Sequence, residues 1–337
     1  MRADVSTAEA PGRSCPLHYR YDPALFDSAA PPHLRELEVL YVVGGLYGNA
    51  AALARVLALF EREQGRKRLI FNGDFHWFDS EPQAFAGIQQ QVLAFEATRG
   101  NVETELGDES AAAEGGAGCG CAYPDWVGEG VVERSNRIHA RLRTATTREQ
   151  RCQLATLPMW LRADVGGLRI AVVHGDATSL AGWGFAQEHL ADAAHRAEVR
   201  RWLARANVHA FACSHTCLPV FQRLHTDAGE RWVLNNGAAG MPNFRGERSG
   251  LVTRIATRAW RGRERRFGVH QAGVHHEALA LEWDAAAFDG EFLRLWPPGS
   301  DAFASYFERI QRGPDYTPAQ AVRDDIEPRV RDVAHAR

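Results

Sequence analysis

Five short apolar runs, each ending in small or polar residues, mark the first two thirds of the chain. They cover residues 38–43, 69–71, 92–98, 168–173 and 208–213, and they run into Gly-Gly-Leu-Tyr-Gly-Asn, Asn-Gly-Asp, Arg-Gly-Asn-Val-Glu, His-Gly-Asp and Ser-His-Thr-Cys. Runs this short, closed by turn residues, predict buried strands. Between the first two, Leu53, Val56, Leu57 and Phe60 recur at i, i+3, i+4 and i+7, the stripe of a one-faced helix that Gly65 stops. Strand, loop, helix, strand is a βαβ unit, whose parallel strands end on one edge. The loop 44–49 is therefore expected beside Asp74, on the edge where open α/β sheets bind ligands.

Beyond this unit the pattern predicts helices over residues 81–90, 131–143, 193–206, 301–311 and 318–334. Strands are predicted at 160–163, 251–256, 278–283 and 292–296, with a hairpin of 219–224 and 232–235 around Asp227, Ala228 and Gly229. Residues 104–130, rich in Gly, Ala and acid, lack periodicity and read as an insertion. Residues 1–35 read as an N-terminal arm, whose His18 and Arg20 could reach a substrate phosphate, and 301–337 as a helical extension. With no repeat and no long linker, 36–300 reads as one elaborated α/β domain.

A chain of 337 residues can bury a sizeable core. Its formal net charge of -3 provides no basic field, which argues against nucleic-acid binding driven by counterion release; the Arg-rich residues 261–266 read as a solvated turn. There is no apolar run of about 18 residues and no apolar segment near Met1, so a soluble, cytoplasmic protein with no membrane partner is expected. Six cysteines at irregular spacing do not form a secreted disulfide framework, and reduced thiols are expected.

Asp74, Asn101, His174 and His215 each follow one of the apolar runs and offer oxygen or imidazole nitrogen to a divalent transition metal. Singly, Asp74 reads as a cap, Asn101 as a turn residue and each histidine as a core residue. Their recurrence at successive strand ends is what favours a site.

The order and spacing of these segments resemble the calcineurin-like metallophosphoesterase superfamily, particularly its small bacterial phosphodiesterase branch, over about residues 39–256. The first motif, Asp-x-His-Gly-Asn, falls on Gly45-Leu46-Tyr47-Gly48-Asn49, and the second, Gly-Asp, on Gly73-Asp74. The third, Gly-Asn-His-Asp or Glu, falls on Gly100-Asn101-Val102-Glu103. The fourth falls on His174-Gly175, and the fifth, Gly-His-x-His, on Ser214-His215-Thr216-Cys217. Asn236-Gly237-Ala238 is similar to the Asn-Pro-Gly-Ser turn of that branch. The resemblance implies two packed mixed β-sheets with helices on both outer faces, a four-layer αββα sandwich.

It also implies a metal-dependent phosphoester hydrolase, a phosphodiesterase or phosphatase acting on a small molecule through a metal-activated water, with Asp74, His174 and His215 catalytic. One metal set is complete in Asp74, Asn101, His174 and His215. The other retains only Asp74, with Gly45, Tyr47 and Cys217 at its remaining positions, and Val102 stands where the family has a catalytic histidine. A mononuclear site with one manganese, iron or zinc ion is the resulting expectation.

Tyr47 and Cys217 either rebuild a second metal site, with Cys119 and Cys121 as further soft ligands, or fill the emptied space. Tyr47, Asn49, His76, Cys217 and Arg245 are the candidate second-site or substrate contacts, His76 and Arg245 as replacements for the missing positive charge. Two rival functions follow from the same residues: a non-catalytic binder of a phosphorylated ligand or partner, and a thiol or metal redox protein using Cys119, Cys121 and Cys217.

Overall fold

The computed structural model describes residues 12–13, 16–30, 32–109 and 118–325. Its strands are β1 (Leu34–Leu37), β2 (Val39–Val43), β3 (Lys67–Asn72), β4 (Glu96–Thr98), β5 (Trp160–Val165), β6 (Leu168–Val173), β7 (Ala210–Cys213), β8 (Pro219–Thr226), β9 (Gly229–Asn236), β10 (Gly250–Ala256), β11 (Arg265–Gln271), β12 (Val274–Leu281) and β13 (Val322–Arg323). One sheet of six strands has the order β11-β12-β10-β2-β3-β4, and the other, of seven, β1-β5-β6-β7-β9-β8-β13. Both are mixed: β2, β3 and β4 run parallel while β10 is antiparallel to β2, and β6, β7 and β9 run parallel while β8 is antiparallel to β9.

Side-chain alternation along the strands creates the layers, because successive residues face opposite sides of a sheet. In β2, Leu40 and Val42 join a core shared with Ile170 and Val172 of β6, so the two sheets pack face to face. The odd residues Val39, Tyr41 and Val43 pack instead with Leu53, Val56 and Phe60 of α1 (Ala50–Glu61). On the far side, Ala171 and Val173 of β6 pack with Val199 and Leu203 of a helix over Ala193–Ala206. Helices thus cover both outer faces, and the αββα arrangement follows from period-2 patterning on both sheets.

The other helices are α2 (Pro82–Val92), α3 (Asn101–Gly107), α4 (Glu129–Thr144), α5 (Arg148–Ala155), α6 (the Ala193–Ala206 helix), α7 (Ala285–Leu295), α8 (Asp301–Arg312) and α9 (Pro318–Ala321). Several differ from the sequence reading. Residues 292–295 are the end of α7, capped by Trp296, rather than a strand: Asp284 accepts the N–H groups of Ala286 and Ala287, and Phe292 and Leu295 bury on one helical face. The helix expected over 318–334 is a single turn, after which Val322 and Arg323 pair with Phe221 and Gln222 in β13; residues 326–334 lie outside the described ones. The strand expected from residue 92 begins only at Glu96, because Val92 completes the buried stripe of α2. Arg265 and Arg266 open β11 rather than a turn, and Arg265 pairs with the buried Glu277. The short elements β1, α3 and α5 were not legible from periodicity.

Of the insertion, residues 104–107 complete α3, residues 118–128 are irregular and packed beside the strand edge, and 110–117 lie outside the described residues. The arm is anchored by Tyr19, which is buried and hydrogen-bonds Glu105 at 2.5 Å. Its His18 and Arg20 are exposed. Among the described residues no helix is long and apolar enough to cross a membrane.

Candidate metal centre

Strands β2, β3, β4, β6 and β7 end on one edge, and buried polar side chains tie the two sheets together there. Asn72 donates to Val173 O (2.7 Å) across the sheets and accepts from Thr98 (2.9 Å), and Asn236 donates to Gly44 O and Leu251 O, both at 3.0 Å. Glycines permit the close approach that follows. Gly73 has φ +73°, and a Cβ there would stand 2.5 Å from both Gly100 N and His174 Nδ1, so only glycine lets the three loops meet.

The four expected donors converge. His174 Nε2 lies 3.4 Å from Asp74 Oδ2, 3.2 Å from Asn101 Oδ1 and 3.2 Å from His215 Nδ1. The donor atoms of Asp74, His174 and His215 all lie within 4.8 Å of one another, and no cysteine among the described residues joins that cluster.

Each ligand is aimed by a second bond. His174 Nδ1 donates to Asn72 O (2.9 Å), which leaves Nε2 facing the centre; His215 Nε2 donates to Cys121 O (3.1 Å), which leaves Nδ1 facing it. Asn101 Nδ2 donates to Cys119 O (2.7 Å), which turns Oδ1 inward. Outer partners of this kind fix tautomer and ring orientation in metal sites.

Asp74 sits at φ +51°, a region that non-glycine residues seldom adopt, and Glu103 holds it there. The Glu103 carboxylate accepts N–H bonds from Asp74 (2.8 Å), Phe75 (3.0 Å) and Gly100 (2.9 Å), stapling the β3 turn to the start of α3. Asp74 Oδ1 accepts from Val102 N (3.3 Å), so Oδ2 is the oxygen that faces the histidines.

The electrostatics call for a cation. Two imidazole lone pairs, an amide oxygen and a carboxylate oxygen face one another over about 3 Å, an arrangement that repels itself unless positive charge lies among the atoms. Burial opposes a proton on His174, yet the Asp74 carboxylate and the Asn72 carbonyl outweigh it and raise that pKa. Burial and the neighbouring His174 push His215 down to about 3, so it stands neutral, as a metal ligand must. Burial also opposes the Asp74 charge, but the two histidines keep its pKa below the ordinary carboxylate value. Mixed oxygen and imidazole donors of this number suit a divalent transition metal.

The second half of the edge is filled differently. Tyr47 Oη lies 2.8 Å from Cys217 Sγ, and both residues have positive φ, +55° and +61°. A Cβ on Gly45 would stand 2.9 Å from the Tyr47 ring, which therefore takes the room that a larger residue 45 would need. Burial, then Cys217 and Asp74, push the Tyr47 phenol well above its usual pKa, and burial raises Cys217 against the pull of Arg309. The pair is neutral as it stands. Burial and Cys119 likewise raise Cys121, which keeps that thiol protonated, and the Cys-Gly-Cys turn serves the centre through its carbonyls.

Three of the candidate contacts lie elsewhere. His76 is fully buried, bonded to Asp79 (2.6 Å) and stacked on Phe85 of α2 at 3.7 Å, which commits its ring away from the centre. Arg245 is exposed and paired with Asp315. Asn49 caps α1, accepting from Ala52 N (2.9 Å) and donating to Gly240 O (3.1 Å), so its amide is committed to the backbone.

Residues without a sequence signal complete the surroundings. Arg309 of α8 donates to Cys217 O (2.8 Å) and Pro242 O (3.0 Å), bringing a cation near the Tyr47–Cys217 pair. Trp77, Tyr123, Trp183 and Tyr306 cap a cavity of about 50 Å³ beside Asp74, Asn101 and His215.

No protein-family profile matches the chain, and no curated protein matches it in sequence. Among solved structures, a hypothetical protein from Pyrococcus horikoshii OT3 is similar, with 14% identity, a TM-score of 0.54, and coverage of 82% of this chain and 99% of that one. A metallophosphoesterase from Sphaerobacter thermophilus aligns with a TM-score of 0.49 at 14% identity, over 76% of this chain and 93% of its own. The likeness is one of fold. Two mixed sheets in this order between helical layers form an αββα sandwich, the arrangement expected from the motif resemblance, with all five motif segments on one edge.

Proposed function

We propose that the protein is a metal-dependent phosphoester hydrolase with a mononuclear centre held by Asp74, Asn101, His174 and His215. The observation that carries this reading is the convergence of those four donors, each with its outer bond already made. A divalent metal bound there supplies Lewis acidity toward a phosphoryl oxygen and lowers the pKa of water. Asn72 and the carbonyls of Cys119 and Cys121 keep the ligands oriented before substrate arrives, so little reorganisation accompanies the reaction.

Val102 has no proton to give where the family that the motifs resemble carries histidine, and the Tyr47 phenol, raised well above its usual pKa, is a weak acid. The reading therefore favours esters whose leaving groups depart without a strong general acid. Protein loaded separately with manganese, iron or zinc is expected to hydrolyse bis(4-nitrophenyl) phosphate or 4-nitrophenyl phosphate, and to lose that activity on chelation. Metal-loaded protein that turns over neither ester contradicts hydrolysis.

A further inference from the structure

The walls of the cavity beside the donor cluster are aromatic. Tyr47, Trp77, Tyr123, Trp183 and Tyr306 all line it, and among the described residues no Lys or Arg side chain does. The rings differ in exposure. Tyr47 and Trp77 are buried like Asp74, Asn101 and His215, whereas Tyr123, Trp183 and Tyr306 are half-buried, so the wall that runs from the donors toward solvent is made of these three rings. Trp126, 55% exposed, extends that surface, with its ring edge-on to Trp183 at 6.4 Å.

The three rings are held in place. Trp183 Nε1 donates to Cys121 O (3.0 Å), and its ring stands 5.3 Å from that of His215. Tyr123 Oη lies 3.0 Å from Ser135 Oγ, with its ring 6.0 Å from that of Trp183, and Tyr306 packs edge-on against Phe78 at 5.2 Å. The cavity has room of about 50 Å³, roughly one or two water volumes, so the body of an ester held at the donors lies outward along these rings. They offer that body apolar faces and edges and no cation, which suits a neutral ring and opposes further phosphates or carboxylates.

Leaving-group chemistry selects the same kind of body. Val102 lines the cavity and has no proton to give a departing oxygen. A phenol, with a pKa of about 10, leaves as its anion far more readily than an alcohol, whose acidity is close to that of water. We propose that the substrate is an aryl phosphate ester whose ring lies against Tyr123, Trp183 and Tyr306. This rests on the phosphoester reading given above and names its substrate class. In the reaction the water oxygen bonds to phosphorus, the bond from phosphorus to the aryl oxygen breaks, and the phenolate leaves with the electron pair. One water proton stays on the phosphate and the other passes to solvent.

Titration calorimetry of zinc-loaded protein with phosphonates, which do not hydrolyse, tests the proposal. Phenylphosphonate is expected to bind on the order of 10-fold more tightly than methylphosphonate, and more tightly than cyclohexylphosphonate, which is apolar and of similar bulk but has no ring face. In Tyr306→Leu the advantage of phenyl over methyl is expected to fall to about 3-fold or less. Equal affinity for phenyl- and methylphosphonate, or for phenyl- and cyclohexylphosphonate, overturns the aryl assignment and leaves the phosphoester reading standing. No binding of any phosphonate overturns both. A full phenyl preference in Tyr306→Leu, or loss of zinc from it, overturns the assignment of this wall to the ester body. If Tyr306→Leu does not fold, proton spectra of phenylphosphonate in the presence of the unsubstituted zinc protein decide the matter. Upfield shifts of the phenyl protons, produced by ring faces packed on them, uphold the proposal, and unshifted phenyl protons on a bound phosphonate refute it.

Discussion

Alanine at His174 will release the metal and abolish any hydrolysis that depends on it. The ring is fully buried, faces the other three donors through Nε2, and is the one group that touches Asp74, Asn101 and His215 at once. Outer partners of metal ligands contribute about 10–100-fold to affinity, and loss of a direct ligand should exceed that. The substitution also leaves Asn72 O without one donor and opens a small cavity, a cost of about 2–3 kcal/mol that a domain of this size can absorb. His215→Ala is expected to lose metal to the same degree, its ring making no bond that joins the two sheets. Elemental analysis by mass spectrometry alongside circular dichroism checks both variants. Folded proteins with undiminished metal in both would remove these histidines from the ligand set.

The second large effect is expected at Glu103, which contributes no donor to the centre. Glu103→Ala leaves the N–H groups of Asp74, Phe75 and Gly100 buried without their acceptor, and stability should fall by about 3–5 kcal/mol. Metal affinity should fall with it, because Asp74 keeps its positive φ only while this staple holds. Glu103→Gln retains one carbonyl oxygen and should lose less than half as much. Urea unfolding followed at equal metal loading distinguishes the two. An alanine variant as stable as the parent would mean that the turn is held by something other than this carboxylate.

The parts of this architecture that the sequence reveals are those where local pattern and final environment agree. β2 and β3 are apolar on both faces because one face meets the other sheet and one meets helices, so their runs stand out. The four donors follow such strands directly, and strand ends fix their position. The missed features depend on packing between distant segments. Phe292 and Leu295 are spaced for a helix but follow too short an approach to be told from a strand. Tyr306 and Arg309 reach the site only because α8 docks over the edge. The Cys119–Cys121 turn works through carbonyls, whose use residue type does not reveal. His76 misleads because its ring is committed to Asp79 and to the face of Phe85, contacts that residue type alone does not reveal.

The central claim is that a single metal sits among Asp74, Asn101, His174 and His215. Anomalous diffraction at the manganese edge, from crystals grown with manganese, tests it most directly. The account predicts one strong peak per chain, within bonding distance of Asp74 Oδ2, Asn101 Oδ1, His174 Nε2 and His215 Nδ1. A peak between Tyr47 and Cys217, or only at the cluster of His225, Asp324 and Asp325, would contradict it.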